Sequence, residues 1–292
     1  METSMACSRE VQSLPLFVSL VVVIFGFGSV VGPDSSSDSF VYGGCTQLRY
    51  SPGSAYVTNL NSLLTSLVNS ATYSSFNKFT VVGPSSNDAV YGLYQCRGDL
   101  SMPECATCVA RAVTESGITC SGTCGGTIQL QGCYVRYDNA TFLGEEDKMV
   151  AYKKCGPSDG YQADVMGRRD SVLAGLIGAT GPYRVGGSGE LLGVAQCTGD
   201  LSAGQCQDCV YEAIKRLKSE CATATTGDMF LVKCYARYSV FGSQMFTKSD
   251  KGKSGDKGTK TFAIIVGLLG GVALLIIFLS FIRRICQGPG GK

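Results

Sequence analysis

The chain has no histidine and no tryptophan. Without an imidazole, Ser-His-Asp and Cys-His nucleophile relays, His-ligated metals and imidazole acid-base steps are all excluded. A dominant charge sign is also lacking: Lys+Arg 25 against Asp+Glu 23 leaves +2, so no basic surplus argues for nucleic acid. Long apolar runs are few, one near each end. What is abundant is cysteine, 15 in 292 residues, beside 38 glycines. That length accommodates about two compact domains, and the cysteines raise the question of redox compartment.

The ends answer it. Leu14 to Val31 is apolar and uncharged, followed by Gly32, Pro33 and a Ser/Asp cluster. This reads as a secretory signal peptide over 1–32, although Glu2 and Glu10 offset Arg9 and leave the basic n-region weak. A second run, Phe262 to Ile282, carries no charge and is flanked by Lys260 and by Arg283 with Arg284. At 1.5 Å per residue it spans about 30 Å, the thickness of a hydrocarbon core, and predicts a transmembrane helix over 261–282. Lysines before the span outnumber the basic residues after it, so flanking charge does not choose the orientation. The signal peptide does, placing the region before the span outside the cell and a tail, 283–292, in the cytosol. That tail is too short to fold into a catalytic domain.

Between the two runs one module is written twice. Gly92 to Ala112 realigns with Gly193 to Ala213 at an offset of 101, and the same offset maps Cys133-Tyr-Val-Arg-Tyr137 onto Cys234-Tyr-Ala-Arg-Tyr238. With Cys45 and Cys155 added, each copy has six cysteines, which in a secreted chain read as three disulfides per domain. Spacing leaves many connectivities open. The expected domains are 33–154 and 155–242, followed by a Ser/Gly/Lys/Asp-rich stalk, 243–260.

Tyr56, Leu60, Leu63, Leu64, Leu67, Val68 and Ala71 follow the helical period, as do Val165, Val172, Leu173, Leu176 and Ile177 less completely, so each module is expected to open with a long helix. Ser101-x-x-Glu104 and Ser202-x-x-Gln205 have the form of capping boxes that start a second helix. On that helix Cys105, Cys108, Val109, Ala112 and Val113, with their counterparts Cys206, Cys209, Val210, Ala213 and Ile214, share one core-facing side. The runs Phe79–Val82, Val90–Tyr94, Ile128–Tyr137 and Met229–Tyr238 are rich in β-formers. The pattern predicts an α+β fold with helices on one face of an antiparallel sheet.

The two C-x-x-C pairs read as disulfide cysteines in this compartment rather than as zinc or redox centres. Glu145, Glu146 and Asp147 read as a solvated turn, and nothing asks for a metal or cofactor. Asn139-Ala-Thr141 is an N-glycosylation sequon. Ala263, Gly267 and Gly271 form a small-residue face on the span that can pair helices, and Cys286 is a juxtamembrane candidate for S-palmitoylation.

With the C-x8-C-x2-C core and the C-Y-x-R-Y strand each present twice, a signal peptide, one span and a short tail, the chain resembles the plant plasmodesmata-located protein family. Its module resembles the ginkbilobin-like, stress-antifungal domain, which implies two helices on a five-stranded antiparallel sheet. The resemblance also implies the bridges Cys45–Cys120, Cys96–Cys105 and Cys108–Cys133, then Cys155–Cys221, Cys197–Cys206 and Cys209–Cys234, leaving Cys124 unpaired. The related cysteine-rich receptor-like kinases carry a cytosolic kinase, for which this tail has no room. The mannose-binding set of the antifungal lectin, Asn, Arg and Glu, is replaced here by Thr46, Thr127 and Asp138 in copy one, and by Gly156, Asp228 and Ser239 in copy two. Mannose binding is therefore not carried over.

The resulting expectation is a non-enzymatic type I protein of the plasma membrane at plasmodesmata that regulates cell-to-cell trafficking through ectodomain contacts and its membrane helix. Its expected partners are the membrane itself, a second copy, and an apoplastic protein or wall glycan. The alternative is a cell-surface lectin or co-receptor for a wall carbohydrate. A hydrolase of callose is disfavoured, because no carboxylate pair recurs on matching elements of the two copies. Non-reducing peptide mapping is expected to recover the six bridges above and one ectodomain thiol at Cys124; a Cys120–Cys124 peptide would overturn the pairing.

Overall fold

The computed structural model describes residues 36–240, apart from 86, 87, 159 and 161. The signal peptide, the stalk, the span with Ala263, Gly267 and Gly271, and the tail with Cys286 lie outside the described residues. Among the described residues, no helix is long and apolar enough to cross a membrane.

After a 3-10 turn at Ser36–Asp38, the first module runs β1 (Phe40–Cys45), α1 (Ala55–Ser70), β2 (Phe76–Val81), β3 (Val90–Cys96), α2 (Met102–Thr119), β4 (Gly126–Leu130) and β5 (Cys133–Asp138). The second runs β6 (Val150–Cys155), α3 (Ala163–Gly178), β7 (Tyr183–Ser188), β8 (Leu191–Cys197), α4 (Ala203–Glu220), β9 (Thr226–Leu231) and β10 (Cys234–Ser239). Each module forms a five-stranded antiparallel sheet, ordered β1-β4-β5-β3-β2 and β6-β9-β10-β8-β7.

Three features differ from the sequence reading. Each module opens with a strand, not a helix. β1 and β6 are edge strands, mostly exposed and interrupted by a register shift, so neither carries the alternation that marks a half-buried strand. The expected boundary between 154 and 155 consequently falls inside β6, which pairs with β9 of the second sheet. Each late β-forming run is also two strands: Gln131-Gly132 and Val232-Lys233 turn the chain between them.

Both capping boxes form. The Ser202 hydroxyl accepts from the Gln205 backbone N–H at 3.3 Å, and the Gln205 side-chain oxygen accepts from the Ser202 N–H at 2.8 Å. At α2 the Glu104 carboxylate accepts from both the Ser101 N–H and its hydroxyl, at 2.9 and 2.5 Å. Leu60, Leu63 and Leu67 of α1 meet Cys105, Cys108, Val109 and Ala112 of α2 over the inner face of the sheet, with Ile128, Leu130, Val135 and Tyr137 beneath. The second core repeats this, except that α3 buries Arg169 where an uninterrupted apolar stripe would run, and Val165 is only half-buried. Arg169 donates to the Ala222 carbonyl and to Asp170, so burial leaves it partnered.

Six disulfides are present among the described residues: Cys45–Cys120, Cys96–Cys105 and Cys108–Cys133, and their counterparts Cys155–Cys221, Cys197–Cys206 and Cys209–Cys234. All three bridges of a module have one end on the second helix or its C-cap, and the other on three different strands. Each stabilises by about 2–4 kcal/mol in the loop-closure description. Cys124 is free and buried, and burial, reinforced by the Asp138 carboxylate, raises its thiol pKa. Cys108→Ser or Cys209→Ser is expected to lose a bridge and strand a hydroxyl in the core, costing several kcal/mol and lowering cell-surface delivery. Cys124→Ser should do much less, and equal loss of surface signal in both would refute the distinction.

Candidate functional site

The sheet faces turned away from the helices are not left to solvent. Alternation puts Gln95, Gln129 and Tyr134 on the outer face of the first sheet and Gln196, Phe230 and Tyr235 on that of the second, and these two faces meet. Tyr42 stacks on Tyr152 with centroids 5.9 Å apart and meets Phe230 edge-on at 5.7 Å. The pair is therefore a four-layer block, helices outside and sheets inside.

Glycine makes the contact close. The Tyr183 ring lies over Gly98 and, reciprocally, the Phe76 ring lies over Gly199; a Cβ would fall 2.4 Å from one ring and 2.7 Å from the other. These are the glycines of the repeated Gly-Asp-Leu, whose shared offset in the two copies now has a packing cause. Three polar pairs cross the seam. The Gln196 amide donates to the Cys96 carbonyl at 2.9 Å, the Gly199 N–H donates to Gln95 Oε1 at 2.9 Å, and Arg237 donates to Gln131 Oε1 at 2.6 Å. A cavity of about 30 Å³ remains among these side chains, the volume of a single water.

The connecting segment is fastened here as well. Lys233 and Asp200, buried to 1% and 0% side-chain exposure, pair at 2.5 Å. Lys233 also donates to the Phe142 carbonyl at 2.8 Å, and Asp200 accepts from the Gly144 N–H at 2.9 Å. The Phe142 ring lies between the Arg136 guanidinium at 4.2 Å and the Lys233 ammonium at 5.0 Å. Burial alone would raise the Asp200 pKa, but hydrogen bonds from Lys233, Gly144 and Thr198 outweigh it and hold the carboxyl below its usual range. Stability from this group is present above the unfolded carboxyl pKa and is lost as pH falls through the lower folded value. No element of this network was evident in the sequence; Lys233 sits in a hairpin turn, where an exposed lysine is the ordinary expectation.

The other sequence-level candidates fall elsewhere. Asn139 is half-exposed directly after β5, with Ala140 and Thr141 exposed. Glu145 and Glu146 are exposed, and Glu146 pairs with Lys148 at 3.2 Å. Thr46 and Asp138 both approach Gly125 at one end of the first sheet, and Thr127 lies next along β4. In the second module the corresponding Asp228 is consumed by a buried pair with Arg237 at 2.7 Å, and Ser239 is buried. The two copies thus offer unlike surfaces at matching positions.

The family description "Salt stress response/antifungal" matches residues 44–140 and 165–240, one match per module. Plasmodesmata-located protein 7 of Arabidopsis thaliana is 56% identical over 96% of this chain and 93% of its own length. The chain belongs to the plasmodesmata-located protein family. Plasmodesmata-located protein 6 of Arabidopsis thaliana is 52% identical over 95% of this chain and 100% of its own length. Among solved structures, the tandem DUF26 ectodomain of the Arabidopsis thaliana cysteine-rich receptor-like protein PDLP5 is 46% identical with a TM-score of 0.67, covering 70% of this chain and all of that one. The family's tandem module is therefore the frame in which the buried Lys233–Asp200 pair sits.

Removing one member of such a pair strands the other charge, so Lys233→Met is expected to cost about 3–5 kcal/mol. Lys233→Met combined with Asp200→Leu should restore most of that in urea denaturation of the ectodomain. A double variant as unstable as the single one would remove charge burial as the cause.

Proposed function

We propose that the chain is a non-enzymatic, single-pass type I membrane protein that works at plasmodesmata, where it regulates cell-to-cell trafficking through contacts of its tandem ectodomain. The observation that carries this reading is near full-length relatedness to plasmodesmata-located proteins, across both modules and the flanking regions. The architecture supports a binding role over a catalytic one. Fused through their sheets, the modules present helices, sheet ends and connecting loops to their surroundings, and the chain offers no imidazole. Under this reading residues 261–282 span the membrane, residues 283–292 form the cytosolic tail, and Ala263, Gly267 and Gly271 let helices approach one another. Asn139 carries a glycan on the exposed turn after β5, and Cys286 is the acylation candidate.

A carbohydrate-binding reading has one observation in its favour, the hydroxyl and carboxylate side chains of Thr46 and Asp138 converging at Gly125 in the first module. Glycan-array binding by the secreted ectodomain would move the assignment toward it.

A fluorescent fusion in plant tissue is expected to give puncta coincident with callose staining, and an even plasma-membrane distribution would refute the proposal. Residues 260–284 placed behind an unrelated secreted reporter should reach the same puncta. Gly267→Leu with Gly271→Leu keeps the hydrophobic length and blocks close approach, so focal accumulation should weaken while plasma-membrane delivery survives. Unchanged puncta would exclude helix pairing from targeting.

A further inference from the structure

The second module has a groove of about 370 Å³ with apolar walls from Val165, Met166 and Leu191 and a polar rim that includes Gln162, Arg168 and Glu190. Val240, the last described residue, is itself part of the wall, and its N–H is held by the Thr225 carbonyl at 2.8 Å.

The internal duplication shows what occupies the corresponding place in the first module. Buried positions align α1 with α3, Leu60, Leu63 and Leu67 against Arg169, Val172 and Leu176, which sets Asn59 opposite Arg168. In the first module residues 82–89 connect β2 to β3, and Asn59 Nδ2 donates to the Asp88 carbonyl at 2.8 Å, so the connecting chain lies against the helix there. In the second module β7 and β8 are joined by 189–190 alone. That turn is too short to cover α3, and the groove is the space so left.

The chain that continues from Val240 reads Phe241-Gly-Ser-Gln-Met-Phe246, after which residues 247–260 contain only Thr, Lys, Ser, Asp and Gly. Two phenylalanines and a methionine thus follow Val240 in the sequence, ahead of a purely polar stretch. Leaving such side chains in water forgoes the free energy of burying their apolar surface. We propose that residues 241–246 fill the groove, taking the place that the β2–β3 connection takes in the first module. The ectodomain then ends at Phe246, and the polar stalk starts at Thr247 rather than at residue 243.

Because the chain lacks tryptophan, a single introduced Trp reports this directly. The full-length protein in detergent micelles carries Phe246→Trp, with Lys253→Trp in the polar tether as the exposed reference. Phe246→Trp is expected to emit at shorter wavelength and to be quenched by acrylamide several-fold less than the reference. Adding Val165→Glu should move both readings to the reference values without changing the disulfide map. Val165→Gln is the milder substitute if that variant fails to fold, with the same shift expected. Emission and quenching equal to the reference would overturn the proposal, as would a blue shift insensitive to both Val165 variants. A shift that disappears on dilution would assign the groove to a second copy and overturn it equally.

Discussion

The helix that carries two cysteines and a third at its C-cap is the constraint on which each module depends. Bridges from Cys105, Cys108 and Cys120 reach three different strands, and those from Cys206, Cys209 and Cys221 repeat the arrangement. A module of about 100 residues buries a limited core, and covalent anchoring of one helix supplements it. The other helix has no bridge and is held by its apolar stripe and local hydrogen bonds. That division explains why α3 tolerates Arg169 on its buried side while α2 and α4 keep small and apolar residues on theirs.

With the helices covering one face of each sheet, the other face has to be covered too. A sheet exposing Tyr134, Phe76 and Leu93, or Phe230 and Tyr235, to water would present a large sticky patch. Mutual burial of the two faces resolves this, and Gln95 and Gln196 among the aromatics find partners across the seam. Gly98 and Gly199 set the approach distance, and Phe142 with the Lys233–Asp200 pair fixes the connecting segment in one path. The result is one body that presents surfaces from both modules together.

Duplication did not leave two equal sites. At the sheet end of the first module Thr46 and Asp138 meet around Gly125, whereas in the second Asp228 is turned inward to Arg237, which also reaches Gln131 of the first module. The Asp228 position is thus given over to holding an arginine that links the two modules. The groove beside α3 is a second asymmetry, created by the shortened β7–β8 turn.

What the sequence determined by itself was whatever has a local period or a fixed spacing. The helices over Tyr56–Ala71 and after Ser101 and Ser202, the repeated cysteine frame and the two apolar runs all depend on neighbours within a few positions along the chain. The edge strands β1 and β6 escaped detection because one side of each is open and the register shifts within it, so no alternation was imposed. Only the tertiary structure decided which cysteines pair, since many pairings satisfy the same spacing. It also decided that Lys233 is buried, that Gly98 and Gly199 seat aromatic rings from the opposite module, and that the glutamines belong to an interior seam. Each of these last facts rests on contact between residues roughly 30 to 125 positions apart, and a one-dimensional pattern carries no record of distance between elements that meet only when the two sheets close on each other.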